Sequence, residues 1–188
     1  MRKHFSALQI IHHVIKQHVK PGDICIDATA GRGRDTLFLS NIVGESGHVT
    51  AFDIQQEAVS STWELLLQNG RTNAEVILDS HANMKDYFEP ESVDCITFNF
   101  GWLPGGNHHV FTKPETSIQA IEQGLTLLRP EGIMTLILYY GRETGFEERD
   151  TLLRYLPTLD SDLYTVIEMP FVNRQNCPPI PVVILKDG

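Results

Sequence analysis

The sequence predicts an α/β fold: a three-layer sandwich built on a seven-stranded, mostly parallel sheet whose last strand runs antiparallel. Three observations lead to it. Segments with a helical apolar period alternate with short apolar runs from one end of the chain to the other. The first apolar run ends on a carboxylate, Asp27, and turns through Gly31 and Gly33 into a helix. The last run is reached through a proline-rich link too short for a crossover helix, which implies an antiparallel partner.

Each element follows from local chemistry. Residues 4–19 carry Phe5, Leu8, Ile11, Ile15 and Val19 at three- and four-residue spacing, so they predict an amphipathic helix stopping at Pro21-Gly22. A strand at 24–28 and a helix at 34–43 follow, then a strand at 48–53. The next helix, 57–68, ends at Asn69-Gly70, and a third strand covers 74–79. A fourth strand at 93–98 opens into a loop from Asn99 to Asn107. Pro114 suits the first turn of a helix running to about residue 128, closed by Arg129-Pro130-Glu131-Gly132. The nearly all-apolar strand at 133–140 reads as covered on both faces. A helix at 146–156 and strands at 164–169 and 182–186 complete the chain.

At 188 residues, a single domain spanning 1–188 is expected, with the helix of residues 1–20 packed on it. The composition, 41% hydrophobic and 21% charged, is ordinary for a globular chain. No apolar run reaches 18 residues and the N-terminus lacks a signal-peptide pattern, so a cytoplasmic protein without membrane contact is expected. Cys25, Cys95 and Cys177 form no CxxC pair, so neither a metal site nor a disulfide framework is indicated. A net charge of −9 argues against non-specific nucleic-acid binding. It leaves room for a local patch, and Arg2, Lys3, Lys16, Lys20, Arg32 and Arg34 crowd the N-terminal region.

The glycine turn selects a ligand class. A dinucleotide fingerprint reads G-x-G-x-x-G, whereas here Thr36 holds the third glycine position and Asp27 and Asp35 flank the turn. Carboxylates repel a pyrophosphate but suit the cationic amino-acid portion of S-adenosylmethionine. Asp53, at the end of the second strand, stands where such folds place a ribose-binding acid. Asp27, Thr29, Gly31, Gly33, Asp35, Thr36, Asp53 and Gln55 are therefore the expected cofactor residues, joined by Asn99 and by Ser80 and His81 for the adenine edge.

The acceptor side is read from the later loops. The Asn99 side-chain oxygen can orient the N–H bonds of a target amine, and Phe100 or Trp102 can stack on a base. His108 and His109 titrate near neutrality and could assist deprotonation, at most one of the adjacent pair serving. His12 and His13 are expected on the surface of the first helix. Arg32, Tyr140, Arg142, Asn173 and Asn176 are the remaining candidates for substrate contact.

Four segments in order, Asp-Ala-Thr-Ala-Gly-Arg-Gly-Arg-Asp-Thr (27–36), Ala-Phe-Asp-Ile-Gln (51–55), Asn-Phe-Gly-Trp-Leu-Pro-Gly-Gly (99–106) and Asn-Arg-Gln-Asn-Cys-Pro-Pro (173–179), resemble the small bacterial proteins long labelled "putative rRNA methylases". Over its whole length the chain is similar to the class I methyltransferase fold. The resemblance implies transfer of a methyl group from S-adenosylmethionine to the amine of 5-aminomethyl-2-thiouridine at the tRNA wobble position. The partner is then a tRNA anticodon stem-loop, which a homodimer would help so small a domain to embrace. The Asn99 segment departs from the Asn/Asp-Pro-Pro-aromatic motif of amino-methyltransferases, so that analogy is one of position and chemistry. A ribosomal RNA or small-molecule amine acceptor, and a non-catalytic adenosyl- or RNA-binding module, are the alternatives.

Overall fold

Strand pairing follows from where the apolar runs fall. The computed structural model describes residues 5–101, 112–141 and 145–188. The strands are β1 (Ile24–Asp27), β2 (His48–Asp53), β3 (Ala74–Leu78), β4 (Val93–Phe100), β5 (Leu128–Leu138), β6 (Tyr164–Glu168) and β7 (Ile180–Lys186). They form one sheet in the order β3-β2-β1-β4-β5-β7-β6, with β7 antiparallel to both of its neighbours. The helices are α1 (Ala7–His18), α2 (Arg34–Val43), α3 (Gln56–Gln68), α4 (Pro114–Leu127) and α5 (Phe146–Tyr155).

The pleat sends alternate side chains into two cores. Cys25, Val49, Cys95, Ile133 and Ile137 meet Ile11 and Ile15 of α1, Leu39 and Val43 of α2, and Leu66 of α3. On the other face Ile26, Phe52, Ile96, Phe98 and Phe100 meet Ala120, Ile121 and Leu125 of α4 and Leu152 of α5. Ser6 fixes the start of α1 with a capping box: its hydroxyl accepts the Gln9 N–H at 3.2 Å while its own N–H donates to the Gln9 side chain at 2.9 Å. Among the described residues no helix is long and apolar enough to cross a membrane.

Among the boundaries that differ from the sequence expectation, two change the geometry around the sheet's carboxyl edge or its register. Arg129–Gly132 does not merely close α4. Leu128 already pairs with Val93, the chain kinks at Glu131 (φ 64°), and regular register resumes at Cys95 with Ile133. More consequential is β4, which runs two residues beyond the predicted end because Asn99 and Phe100 continue the ladder with Ile137 and Leu138. The alternation that puts Phe98 in the α4 core therefore also buries Phe100, and it turns Asn99 toward α1 and α2.

α2 starts from Gly33, whose φ of 76° places it in the left-handed region. A Cβ there would lie 2.9 Å from the Thr62 Cα on α3. Only glycine admits both the turn and this approach of α3 to the turn.

Candidate active site

The carboxyl ends of β1, β2 and β4 converge on the turn between β1 and α2, where a parallel sheet of this order binds its ligands. Asp27 is fully buried there. It accepts the Thr36 hydroxyl at 2.6 Å and the Thr29 N–H at 3.2 Å. Burial pushes its carboxyl up to about 7, the neighbouring Asp35 charge adds to the rise, and the Thr36 and Thr29 bonds oppose it. Against the direct ligand contact expected of it, Asp27 has no exposed surface, and with the equally buried Thr36 it braces the turn through the Thr36 hydroxyl and the Thr29 N–H.

That burial has a consequence for stability. Below about pH 4 folded and unfolded chains both carry the Asp27 proton. Between about 4 and 7 the unfolded chain releases it and the folded chain keeps it, so Asp27 makes stability fall as pH rises, with no further change above its folded value. The melting temperature of Asp27→Asn relative to wild type is expected to climb between pH 5 and 7 and then level off. A difference that stays flat over this range would contradict the assignment.

Asp53 is arranged differently. Its Oδ2 accepts the Gly31 N–H at 3.0 Å and its Oδ1 accepts the Gln55 N–H at 2.9 Å. Partial burial raises its pKa, while the backbone donors at Gln55, Gly31 and Ile54 act against the rise. A carboxylate has about four lone-pair sites, so each oxygen keeps capacity for a ligand hydroxyl. Ile54, 59% exposed, offers an apolar surface beside it. Gln55 stands at the start of α3 as its N-cap residue. The turn's own cation does not oppose this acidic set, since Arg32 Nη2 pairs with Glu57 Oε1 at 2.8 Å. Buried or part-buried carboxylates around a glycine turn fit a cationic adenosyl ligand, and they do not fit a pyrophosphate.

After β3, the Ser80 hydroxyl caps the short helical turn His81–Asp86, accepting the Ala82 N–H at 3.2 Å. His81 reaches back to the Ala28 carbonyl at 3.2 Å and sets its ring edge-on to Phe98 and Phe100. Burial lowers its pKa, so it is neutral near pH 7: Nδ1 donates to the carbonyl, and Nε2 is a buried acceptor without a partner among the described residues. His81 thereby ties the β3 loop to the β1 loop.

At the end of β4, the Asn99 N–H donates to the Thr29 hydroxyl at 2.7 Å, and Nδ2 donates to Asp35 Oδ2, also at 2.7 Å. Oδ1 is buried and has no partner among the described residues. Asp35 Oδ1 in turn lies 2.7 Å from His12 Nε2, whose ring stacks on Phe38 at 3.6 Å and 7°. His12, expected on the surface, is half-buried and held by these contacts, while His13 is exposed as expected. An i, i+3, i+4 apolar reading of α1 passes over His12 because it flanks Ile11 and Ile15, on the edge of the buried stripe. The base-stacking role expected of Phe100 is also corrected. It is fully buried against Phe98, and exposing it would forfeit about 2–3 kcal/mol.

Beyond β5, Tyr140 packs edge-on to Phe146, with the Arg149 guanidinium 4.3 Å from its ring centroid. Gly141 lies beside Cys177, so the loop bearing the exposed Asn173 and Asn176 adjoins the end of β5. Arg149 went unnoticed in the sequence as an ordinary helix cation. So did Glu148, which is buried and accepts the Thr112 hydroxyl at 2.7 Å and that of Ser117 at 2.5 Å. The Thr112 N–H also donates to the Gly101 carbonyl and the Gly101 N–H to the Thr112 hydroxyl, which closes the base of the Asn99 loop. Trp102, His108, His109 and Arg142 lie outside the described residues.

The chain is similar to several known proteins. A family model described as "Putative rRNA methylase" matches residues 49–185. An Arabidopsis thaliana protein named tRNA (mnm(5)s(2)U34)-methyltransferase, chloroplastic, is 32% identical over 193 residues, covering 97% of this chain and 70% of its own length. The crystal structure of a "putative rRNA-methylase" from Clostridium thermocellum superposes with a TM-score of 0.94 at 41% identity, covering 98% of this chain and 100% of that one. A "putative methyltransferase" from Streptococcus mutans in complex with SAH gives a TM-score of 0.87 at 34% identity, covering 99% of each chain.

Proposed function

This chain belongs to the "Putative rRNA methylase" family of S-adenosylmethionine-dependent class I methyltransferases, and from that premise we propose that it methylates the primary amine of 5-aminomethyl-2-thiouridine at the tRNA wobble position. The product is 5-methylaminomethyl-2-thiouridine. The observation that carries this reading is the similarity, over 97% of this chain, to a relative named for that nucleoside, and the Asn99 oxygen, without a partner among the described residues, supplies a chemical reason.

S-adenosylmethionine, when bound, provides an electrophilic methyl group. The chain's own residues hold and align the two reactants. Asp53 takes the ribose hydroxyls, the turn at Gly31 and Gly33 admits the cationic amino-acid portion, and Asp27 with Thr36 keeps that turn rigid. Asn99 Oδ1 accepts an N–H of the acceptor amine, which turns the nitrogen lone pair toward the methyl carbon. An alkylammonium titrates near the lysine value of about 10.4, so the acceptor must give up a proton before its lone pair can attack. The C–N bond forms as the S–C bond breaks, the bonding pair passes to sulfur, and the resulting secondary ammonium releases a proton. No covalent enzyme intermediate is needed for a nitrogen nucleophile.

On the acceptor side, Tyr140, Asn173 and Asn176 face the anticodon loop in this reading. Nucleoside mass spectrometry of tRNA from a strain lacking the gene is expected to show 5-aminomethyl-2-thiouridine accumulating and its methylated form lost. An unchanged nucleoside profile would overturn the proposal.

A further inference from the structure

We infer that His12 of α1 is a positioning residue for methyl transfer, acting through Asp35 to hold the Asn99 amide with its oxygen turned to the acceptor amine; the inference rests on the reaction proposed above. A side-chain amide has two ends of nearly equal size and opposite hydrogen-bonding character, so its orientation must be imposed by its neighbours. Asp35 imposes it here. A carboxylate only accepts, so Asp35 Oδ2 takes the Asn99 NH2 at 2.7 Å and leaves Asn99 Oδ1 as the end without a partner among the described residues. The reverse orientation would offer the acceptor amine a donor, and that donor would occupy the lone pair needed for attack.

Asp35 stands on the first turn of α2 and needs its own anchor, because its other oxygen would otherwise leave the carboxylate free to rotate. His12 is that anchor: Nε2 donates to Oδ1 at 2.7 Å, and stacking on Phe38 fixes the plane of the ring. His12, Asp35 and Asn99 line one small space between α1 and the sheet, together with the buried hydroxyl residues Thr97 and Thr135. The Asn99 backbone is held separately by Thr29, so the His12 relay governs the orientation of the side chain and not the position of the strand.

Two substitutions separate packing from hydrogen bonding. His12→Phe retains an aromatic ring on Phe38 and removes the donor, whereas His12→Gln restores an N–H able to reach Asp35. In single-turnover assays with aminomethylated anticodon stem-loop, His12→Phe is expected to slow transfer about tenfold, the scale of one bond to a charged group. S-adenosylmethionine affinity and melting temperature should stay near wild type, and His12→Gln should recover most of the rate. In an Asn99→Ala background His12→Phe should cost nothing further, since its effect passes through Asn99.

A rate unchanged by His12→Phe, an equal loss in the Asn99→Ala background, or a loss arising wholly from weaker cofactor binding would each overturn the inference. A substrate-free readout keeps it separate from the proposed reaction. The Asn99 side-chain NH2 pair, identified in 15N NMR spectra by its absence from Asn99→Ala, should shift and exchange faster in His12→Phe than in wild type. If it does not, the inference fails. If wild-type protein leaves the stem-loop unmethylated, the substrate assignment fails instead, and the NMR comparison still decides the role of His12.

Discussion

Replacing Asn99 by alanine is expected to lower the methyl-transfer rate by at least a hundredfold while leaving S-adenosylmethionine affinity within a few-fold of wild type. Three observations set this size. The side-chain oxygen is a buried acceptor at the end of β4 without a partner among the described residues, its amide is held by Asp35, and its backbone is held independently by Thr29. Alanine removes the acceptor and the alignment it gives without disturbing the ladder, because β4 continues to Phe100 and remains paired with β5. Misaligning a nucleophile by about 1 Å costs on the order of a hundredfold. Isothermal calorimetry with S-adenosylmethionine and single-turnover rates on the same preparations separate the two halves of the prediction. A rate near wild type would remove Asn99 from the acceptor site.

Replacing Asp53 by alanine is expected to weaken S-adenosylmethionine binding by about a hundredfold or more. Two hydrogen bonds from ribose hydroxyls to a charged group are worth about 3 kcal/mol together, and each tenfold in affinity is about 1.4 kcal/mol. Asp53 also holds the Gly31 and Gln55 amides, so alanine loosens the turn as well. Asp53→Asn retains an acceptor oxygen and the side-chain shape, and it should lose only about tenfold. Calorimetric titration of both variants, with melting temperatures to exclude unfolding, checks the ranking. Equal affinities in wild type and Asp53→Ala would move the ribose site elsewhere.

Much of this was legible in the sequence, for physical reasons that differ from residue to residue. The alternation of periods reveals the sheet because burial on both faces requires it, and the short link before β7 imposes antiparallel pairing. The candidate donor side stands out because its signal is local: a strand end, a glycine turn and a second acid all fall within about thirty residues. What the sequence concealed depends on contacts between distant segments. His12 meets Asp35 across 23 positions and Asp35 meets Asn99 across 64, and no spacing rule connects them. Phe100 was misread for a different reason. Extending a strand by two residues reverses nothing in composition, yet it decides which side chain enters the core.

Asp27 teaches a related lesson. The same carboxylate that marks the turn in the sequence is fully buried and braces that turn through Thr36 and Thr29. Its exposure, which the sequence does not carry, separates a bracing role from direct contact.

The most direct test of the central claim is incubation of the purified protein with methyl-labelled S-adenosylmethionine and two anticodon stem-loops, identical except that one carries 5-aminomethyl-2-thiouridine and the other unmodified uridine at the wobble position. The account predicts one methyl group on the amine of the aminomethylated stem-loop and none on the other. Label on neither stem-loop, or on the unmodified one, would contradict it.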